Sequence, residues 1–431
     1  MDYLFIHQNF PGQYVHLVSH LAAKPGNRVY FITQSDREQI AGVEKILYRP
    51  ELAPRTTCHP YTASYDDAVR TGVAVMSACK SLRSRGIVPD LIVGHSGWGE
   101  TLLVKDVFPD VPLLVYFEYF YQAHGADVGF DPEFSPARED DSARLRIRNT
   151  VNRMSFEACD WGHTATEWQR STFPIDMQAR ITAIHEGIDT DRIRPNPDAW
   201  LQLQSGTVLT RRDEVVTYVA RNLEPYRGFH CFMRALPEIL RRRPRAHIVV
   251  VGGDDVSYGS RPPYGGSYRE MLLAEVGGEL DLSRVHFLGQ VPRELYLNVL
   301  QISSVHLYLT YPFVLSWSTL EAMAAGCVVV ASNTAPALEV VIDNVTGLLV
   351  NMFSSNDLAA RIESVLQHID GMSSIRESAR ALIRHAYDLQ VKALPCWEKL
   401  FSQLADRRRP SSAPGQNITI PAPPTQNLAV M

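Results

Sequence analysis

The chain has no long apolar run: no stretch approaches the roughly 20 residues that a membrane helix requires. Its opening, MDYLFIHQNFPGQY, also lacks the basic stretch and apolar core of a secretion signal. The expectation is therefore a cytoplasmic protein. Cysteine is scarce, with six residues, Cys58, Cys79, Cys159, Cys231, Cys327 and Cys396, and no CxxC or Cys/His spacing. That excludes a disulfide framework and a structural zinc site, and the cysteines read as reduced, packed thiols. No excess of positive charge is present, because the formal net charge is -5. Nucleic acid thus has no global electrostatic basis as a partner. GxGxxG is missing, which disfavours an NAD-dependent dehydrogenase. A 20-to-50-residue internal repeat is missing too, which removes solenoids and propellers.

What the sequence does have is enough chain for two cores, 431 residues of ordinary apolar and charged balance. Residues 3–7, 28–33, 90–94 and 112–118 are short apolar runs separated by segments long enough for helices. Such a rhythm predicts βαβ units and a parallel sheet. It restarts after residue 210 with EVVTYVAR, AHIVVVGG, VHFLG, SVHLYLT and CVVVAS, so the fold class expected is α/β with two doubly wound domains. The expected division is residues 1–190, a proline-broken linker at 191–212, a second domain at 213–384, and a helix at 385–405 that packs back on the first domain. Residues 406–431, rich in Pro, Ser, Asn and Gln, read as a disordered tail. The sequon beginning at Asn417 reads as chance.

Open parallel sheets bind ligands beyond the carboxyl ends of their strands, near helix N-termini. In LYLTYPFVLSWSTLEAMAAGCVVVAS a helix is expected to open between Ser316 and Thr319. Its amides, with the hydroxyls of Ser316, Ser318 and Thr319, can hold a diphosphate, and Glu321, expected in the first turn, can accept from a ribose diol. Equally, the serines can simply cap the helix and Glu321 can favour its positive end. In VTYVARNLEPYRGFHCFM, Arg221 and Arg227 flank a strand-to-helix loop, where two guanidiniums can stabilise a departing diphosphate. Singly, each also fits a solvated surface. Gly252 to Asp255 read as a tight turn, and Gly289, Gln290 and Val291 offer backbone to a nucleobase edge. Toward the N-terminus, Gly12 allows close approach to backbone. His95, Trp98, Glu100 and Glu118 fall at strand ends, as a sugar-binding wall would, although core packing explains most of the aromatics nearby. Glu118 is the hardest to dismiss, because a carboxylate at the end of an apolar strand needs a partner.

From Val219 to Val350 these residues resemble the retaining glycosyltransferases of family 4, which have the GT-B fold of two facing Rossmann-like domains. Arg221 matches the strand-end Arg of that family, Arg227-Gly228 stands where Lys-Gly is usual, and Glu321-Ala322-Met323-Ala324 matches its EAMA-type helix. Thr346 to Val350 and His185 to Asp189 echo further segments. The resemblance implies donor binding by the C-terminal domain with Glu321 on the ribose, and a cleft that closes against water. Two positions depart from the pattern: Phe313 occupies the place of a first Glu that faces the donor sugar, together with Trp317 nearby, and Glu118 stands where a His is common.

The function this implies is transfer of a sugar, with retention, from a UDP- or GDP-type nucleoside-diphosphate sugar to an acceptor hydroxyl. Arg221, Arg227 and Glu118 are the catalytic candidates. No metal is required in that scheme, since arginines and a helix terminus supply the positive charge. Asp189-Thr190-Asp191, which spells DxD, reads as structural. The acceptor is open among glycan, lipid-linked, small-molecule and protein hydroxyls, with peripheral membrane contact among the possibilities. Rival readings are a nucleotide-sugar epimerase of the same fold and a noncatalytic nucleotide-sugar-binding protein.

Overall fold

The structure is a computed structural model that describes residues 1–51, 58–263 and 265–407. The segment expected to form a disordered tail lies, apart from its first two residues, outside the described residues, as does Asn417. Two compact units emerge. Of the described residues, one comprises Met1–Val128, Ala137–Gly187 and Leu389 to Arg407; the other comprises Gly129–Pro136 and Ile188–Asp388.

The first unit is built on a seven-stranded sheet. Its strands are β1 (Asp2–Ile6), β2 (Arg28–Thr33), β3 (Val43–Leu47), β4 (Leu91–His95), β5 (Leu113–Tyr116), β6 (Trp161–Thr164) and β7 (Ile181–Ala183). They pair in the order β3-β2-β1-β4-β5-β6-β7, with every pairing parallel. Order reverses between β1 and β4, which is the place where such sheets open a crevice. Leu4, Ile6 and Ile92 point into one core layer, and Tyr3, Phe5, Leu91 and Val93 into the other. That is the period-2 alternation of strands covered on both faces. The helix Leu394–Ala405 belongs to this unit and buries Trp397, Leu400, Phe401 and Leu404 against Tyr3, Phe5 and Tyr14.

The second unit begins with the antiparallel pair β8 (Trp200–Gln202) and β9 (Val208–Thr210). The stretch expected as linker therefore carries regular structure. Leu201, Leu203 and Leu209 are buried against Val215 and Val249, so a two-residue period continues past the prolines that suggested a break. Next come β10 (Val215–Asn222), β11 (His247–Gly253), β12 (Val285–Gly289), β13 (Val305–Tyr308), β14 (Val328–Ser332) and β15 (Leu348–Val350). Their order is β12-β11-β10-β13-β14-β15, all parallel. The reversal here lies between β10 and β13, the two strands that carry the strongest sequence motifs.

An eight-residue segment from the N-terminal half, Gly129–Pro136, packs within this second unit. Asp131, about 1% exposed, accepts from the Tyr311 hydroxyl and faces His230 Nε2 at 3.0 Å, while its other oxygen caps the amides of Glu133 and Phe134 at 2.8 and 3.2 Å. Burial alone would raise Asp131; the bonds from His230 and Tyr311 outweigh it and hold the carboxyl well below the usual range. Glu133 forms a two-pronged pair with Arg234 at 2.6 and 2.8 Å.

Candidate active site

A cavity of about 540 Å³ opens at the carboxyl ends of the second unit's strands. Its wall is taken from four successive strand-to-helix junctions: Val219 to Arg221 at the end of β10, Val251 and Gly252 at the end of β11, Gln290, Val291 and Arg293 after β12, and Ser316, Ser318 and Glu321 after β13. Those junctions meet because parallel strands all deliver their chain to the same edge.

Ser316 is the N-cap of the helix Trp317–Ala325, its Oγ accepting from the Ser318 N–H at 3.4 Å and lying 2.9 Å from the Ser318 hydroxyl. Both serines also line the cavity, so capping and ligand-facing roles coexist at one helix end, where backbone N–H groups favour an anion. Glu321 is the fifth residue of this helix, in its second turn rather than the first as expected. The helix starts later than the serine-rich stretch suggests because Ser316 remains extended as the cap. An interaction of Glu321 with the positive helix end is thereby weakened as an explanation for the residue. Instead, its carboxylate accepts from Arg293 Nη2 at 2.5 Å and from the Tyr296 hydroxyl. Tyr296 is held far above its ordinary pKa, first by burial and then by Glu321, so it stays a donor.

Arg293 and Tyr296 escaped the sequence reading. The available signal was positional: Arg293 directly follows the Gln290-Val291-Pro292 loop and is the first residue of the helix Arg293–Ile302. A cation there opposes the helix dipole, which the ion pair with Glu321 compensates.

The two candidate arginines separate. Arg221 is exposed and lines the cavity. Arg227 turns toward the loop after β13, donating from Nη1 to Thr310 Oγ1 at 2.9 Å and to the Val314 carbonyl at 3.0 Å, with its guanidinium 5.2 Å from the Tyr258 ring centre. Gly228 makes this turn possible: its φ is +66°, and a Cβ would lie 2.4 Å from Leu309 Cβ. Tyr258 is fixed by Glu224, whose buried carboxylate accepts from the amides of Ser257, Tyr258 and Gly259, each at 3.1 Å. Phe313, about 4% exposed, sits in this aromatic group, 5.0 Å from Tyr258 and 5.7 Å from Tyr226. Gly289 ends β12 with φ +67° and open space around it. Trp317 is half-buried, and Thr319 is buried with its hydroxyl unpartnered; neither lines the cavity.

The remaining candidates belong to the first unit and gather at its own switch point. His7 follows β1 and His95 ends β4, their rings 5.1 Å apart, with Trp98 at 5.5 and 4.6 Å from them. His95 Nδ1 accepts the Gly97 N–H at 2.8 Å, which leaves the proton on Nε2, 3.8 Å from a Glu118 oxygen. Burial, then His7 and His163, keep this imidazole well below its ordinary pKa and therefore neutral. Glu100 is fully buried; burial pushes it up to about 7 against the pull of the amides of Glu100, Gln8 and Trp98 and of the Tyr48 hydroxyl. None of these stands in full hydrogen-bonding geometry to it. Glu100 thus sits beneath the wall rather than on its surface. Gly12 packs on His7, whose ring would be 3.0 Å from an added Cβ, so the close approach it permits is to a side chain.

Two family models match the chain, a glycosyl transferase family 4 group over residues 25–193 and glycosyl transferases group 1 over residues 205–386. The chain belongs to the family 4 glycosyltransferases. It is 28% identical over 308 residues to the GDP-mannose-dependent alpha-(1-6)-phosphatidylinositol monomannoside mannosyltransferase of Mycobacterium tuberculosis, covering 67% of this chain and 69% of that one. To the D-inositol 3-phosphate glycosyltransferase of Nocardia farcinica it is 30% identical over 48% of this chain and 44% of that relative. Sucrose-phosphate synthase of Thermosynechococcus elongatus has the same fold, with a TM-score of 0.70 at 19% identity over 94% of this chain and all of that one. HepE of Anabaena, solved with UDP, gives 0.64 at 19% identity over 93% and 100%. This glycosyltransferase therefore has the GT-B fold and transfers sugar from a nucleotide sugar. The epimerase and noncatalytic readings find no support. No helix among the described residues is long and apolar enough to cross a membrane, and no group of three or more His, Cys, Asp or Glu among them is placed to hold a metal ion.

Proposed function

We propose that the chain is a retaining glycosyltransferase that binds the nucleoside diphosphate of a UDP- or GDP-sugar in the cavity of its second unit. The observation that carries this reading is the convergence of Arg221, Ser316, Ser318 and Glu321 on one wall. Arg221 and the amides of the Trp317–Ala325 helix take the diphosphate, where charge develops as the glycosidic bond breaks. Glu321, oriented by Arg293 and Tyr296, takes the ribose diol, and the backbone of Gly289 to Val291 borders the base. Arg227 acts by holding the Thr310 to Val314 loop, so that Phe313 forms the floor near the sugar. Two names support a nucleoside diphosphate as co-substrate: a relative is GDP-mannose-dependent, and HepE was solved with UDP and with UDP-glucose.

The acceptor hydroxyl attacks the face that the diphosphate leaves, and the departing phosphate takes the proton, so no dedicated base is needed. No step of this scheme draws on a metal. To the first unit we assign the hydroxyl-bearing partner: Glu118, Trp98 and the neutral His95 accept, stack and donate as a sugar or polyol requires. Relatives act on a phosphatidylinositol mannoside and on inositol 3-phosphate, so a polyol acceptor, lipid-linked at a cytoplasmic membrane surface or free, is the class to try first. Thermal denaturation with UDP, GDP, ADP and their sugars tests the donor half, because a ligand bound by the native state raises Tm. A rise with one diphosphate in wild type but not in Arg221→Gln supports the cavity assignment, and equal rises in both proteins remove it.

A further inference from the structure

The helix Ser373–Ala386 buries Ile375, Ala379, Leu382 and Ile383 and carries Arg376, Arg380 and Arg384 at four-residue intervals along one face. Arg211 and Arg194, from the segment before β10, lie close enough to act electrostatically on Arg376 and Arg380 respectively. Two of the five reach the turn at Gly326 that ends the Trp317–Ala325 helix. Arg380 Nη1 donates to the Ala324 carbonyl at 2.7 Å, and Arg211 Nη2 lies 4.0 Å from where a Cβ on Gly326 would be.

None of the five arginines takes part in an ion pair among the described residues, whereas Arg192, Arg242 and Arg243 each have a carboxylate. Burial and then Arg211 disfavour the charged form of Arg376, offset in part by Cys327 and Asp370; burial, Arg384 and Arg194 do the same to Arg380, offset in part by Asp191. Arg376 Nε is buried without a partner. A structural role accounts for two members of the group, since Arg380 satisfies a free carbonyl at a helix end and Arg384 lies in the last turn, where a cation suits the dipole. It does not account for Arg376, Arg211 and Arg194, because like charges brought together without an ion-paired carboxylate destabilise a surface. Guanidinium groups in such numbers match phosphate oxygens, which they can hold by paired hydrogen bonds.

We propose that this face is a second anion site, one that binds a phosphate monoester or diester. It is distinct from the donor cavity. Ser316 and Ser318 line that cavity from the start of the Trp317–Ala325 helix, and Arg380 and Arg211 approach its other end, about 13 Å away for nine residues. The phosphate has two sources, a soluble phosphate ester or a phospholipid headgroup.

The test uses the full chain, with Arg376→Gln/Arg384→Gln as the site variant and Arg221→Gln as the donor-cavity control; Arg380 is left in place because it caps a helix. Inorganic phosphate, compared with chloride at equal ionic strength, should raise Tm on the order of 2 °C in wild type and in Arg221→Gln, and not in the double variant. Cosedimentation with phosphatidylcholine vesicles, with and without phosphatidylglycerol, runs in parallel. Arginine-dependent binding to the phosphatidylglycerol vesicles assigns the headgroup as the source, and a phosphate-dependent Tm shift without vesicle binding assigns a soluble ester. If the double variant does not fold, Arg211→Gln takes its place in both arms. Loss of both responses in wild type, or their survival in the site variant, overturns the proposal.

Discussion

The two units carry sheets of the same winding, yet the edges at their switch points are furnished in opposite ways. At the second unit's edge the polar groups are charged, paired and open to a cavity: Arg221 is exposed, and Glu321 is held by Arg293 and Tyr296. At the first unit's edge buried groups prevail: His7, His95 and His163 are each at most 3% exposed, burial keeps His95 and His163 neutral, and Glu100 has its pKa pushed up to about 7, with the half-buried Glu118 beside His95. The lesson concerns which chemistry each edge suits. Fixed positive charge stabilises a phosphate leaving group, which is where the large electrostatic effect lies in glycosyl transfer. Neutral imidazoles and aromatic faces orient hydroxyls and do little for an anion.

Substitutions at the two edges sharpen this contrast. The largest effect is expected from Arg221→Gln, which should lower kcat/KM by about 10²- to 10³-fold while leaving Tm unchanged, since the side chain is exposed. Steady-state rates with saturating acceptor check this, and a loss below threefold would put the phosphate elsewhere. Glu100→Gln should act on stability instead. Because the folded pKa of Glu100 is raised to about 7, its contribution is fully present below about pH 4 and is lost as pH rises through 7. Urea unfolding at pH 5 and pH 8 should show wild type losing on the order of 3 kcal/mol more than the variant over that interval; parallel losses would mean the carboxyl is solvated.

A smaller change is expected for Glu321→Gln, a rise in donor KM of about tenfold with kcat less affected, corresponding to roughly 1.4 kcal/mol of ground-state binding. Equal falls in kcat and kcat/KM would instead place Glu321 in the transition state alone. Smallest should be Trp98→Ala at the first edge. Its side chain is 40% exposed, so stability should change by less than about 1 kcal/mol, with acceptor KM rising a few-fold and nucleotide binding untouched. A change in nucleotide affinity in Trp98→Ala would erase the division of labour between the edges.

Much of the fold was legible because the central strands of both sheets are covered on both faces and read as continuous Val, Ile and Leu runs. Strands β3, β6, β7 and β15 were not recognised. They are three to five residues long and lie toward the sheet margins, where partial exposure or brevity dilutes the pattern. At the cavity, Arg221, Gln290, Val291, Ser316, Ser318 and Glu321 were legible because strand-to-helix junctions of a parallel sheet are forced to one edge. Arg227 was assigned to the same wall, and only the loop it packs on shows that it faces Thr310 and Val314 instead.

By itself the sequence determined two doubly wound halves and the junctions that line the cavity, since hydrophobic period and turn residues are local properties of the chain. The tertiary structure alone decided that Gly129–Pro136 joins the second unit through Asp131, that Arg293 and Tyr296 hold Glu321, and that five arginines from two segments come together with no ion pair among the described residues. Each of those depends on contacts between residues far apart in the chain. Burial and charge pairing, which set the energies of polar groups, exist only once those contacts form.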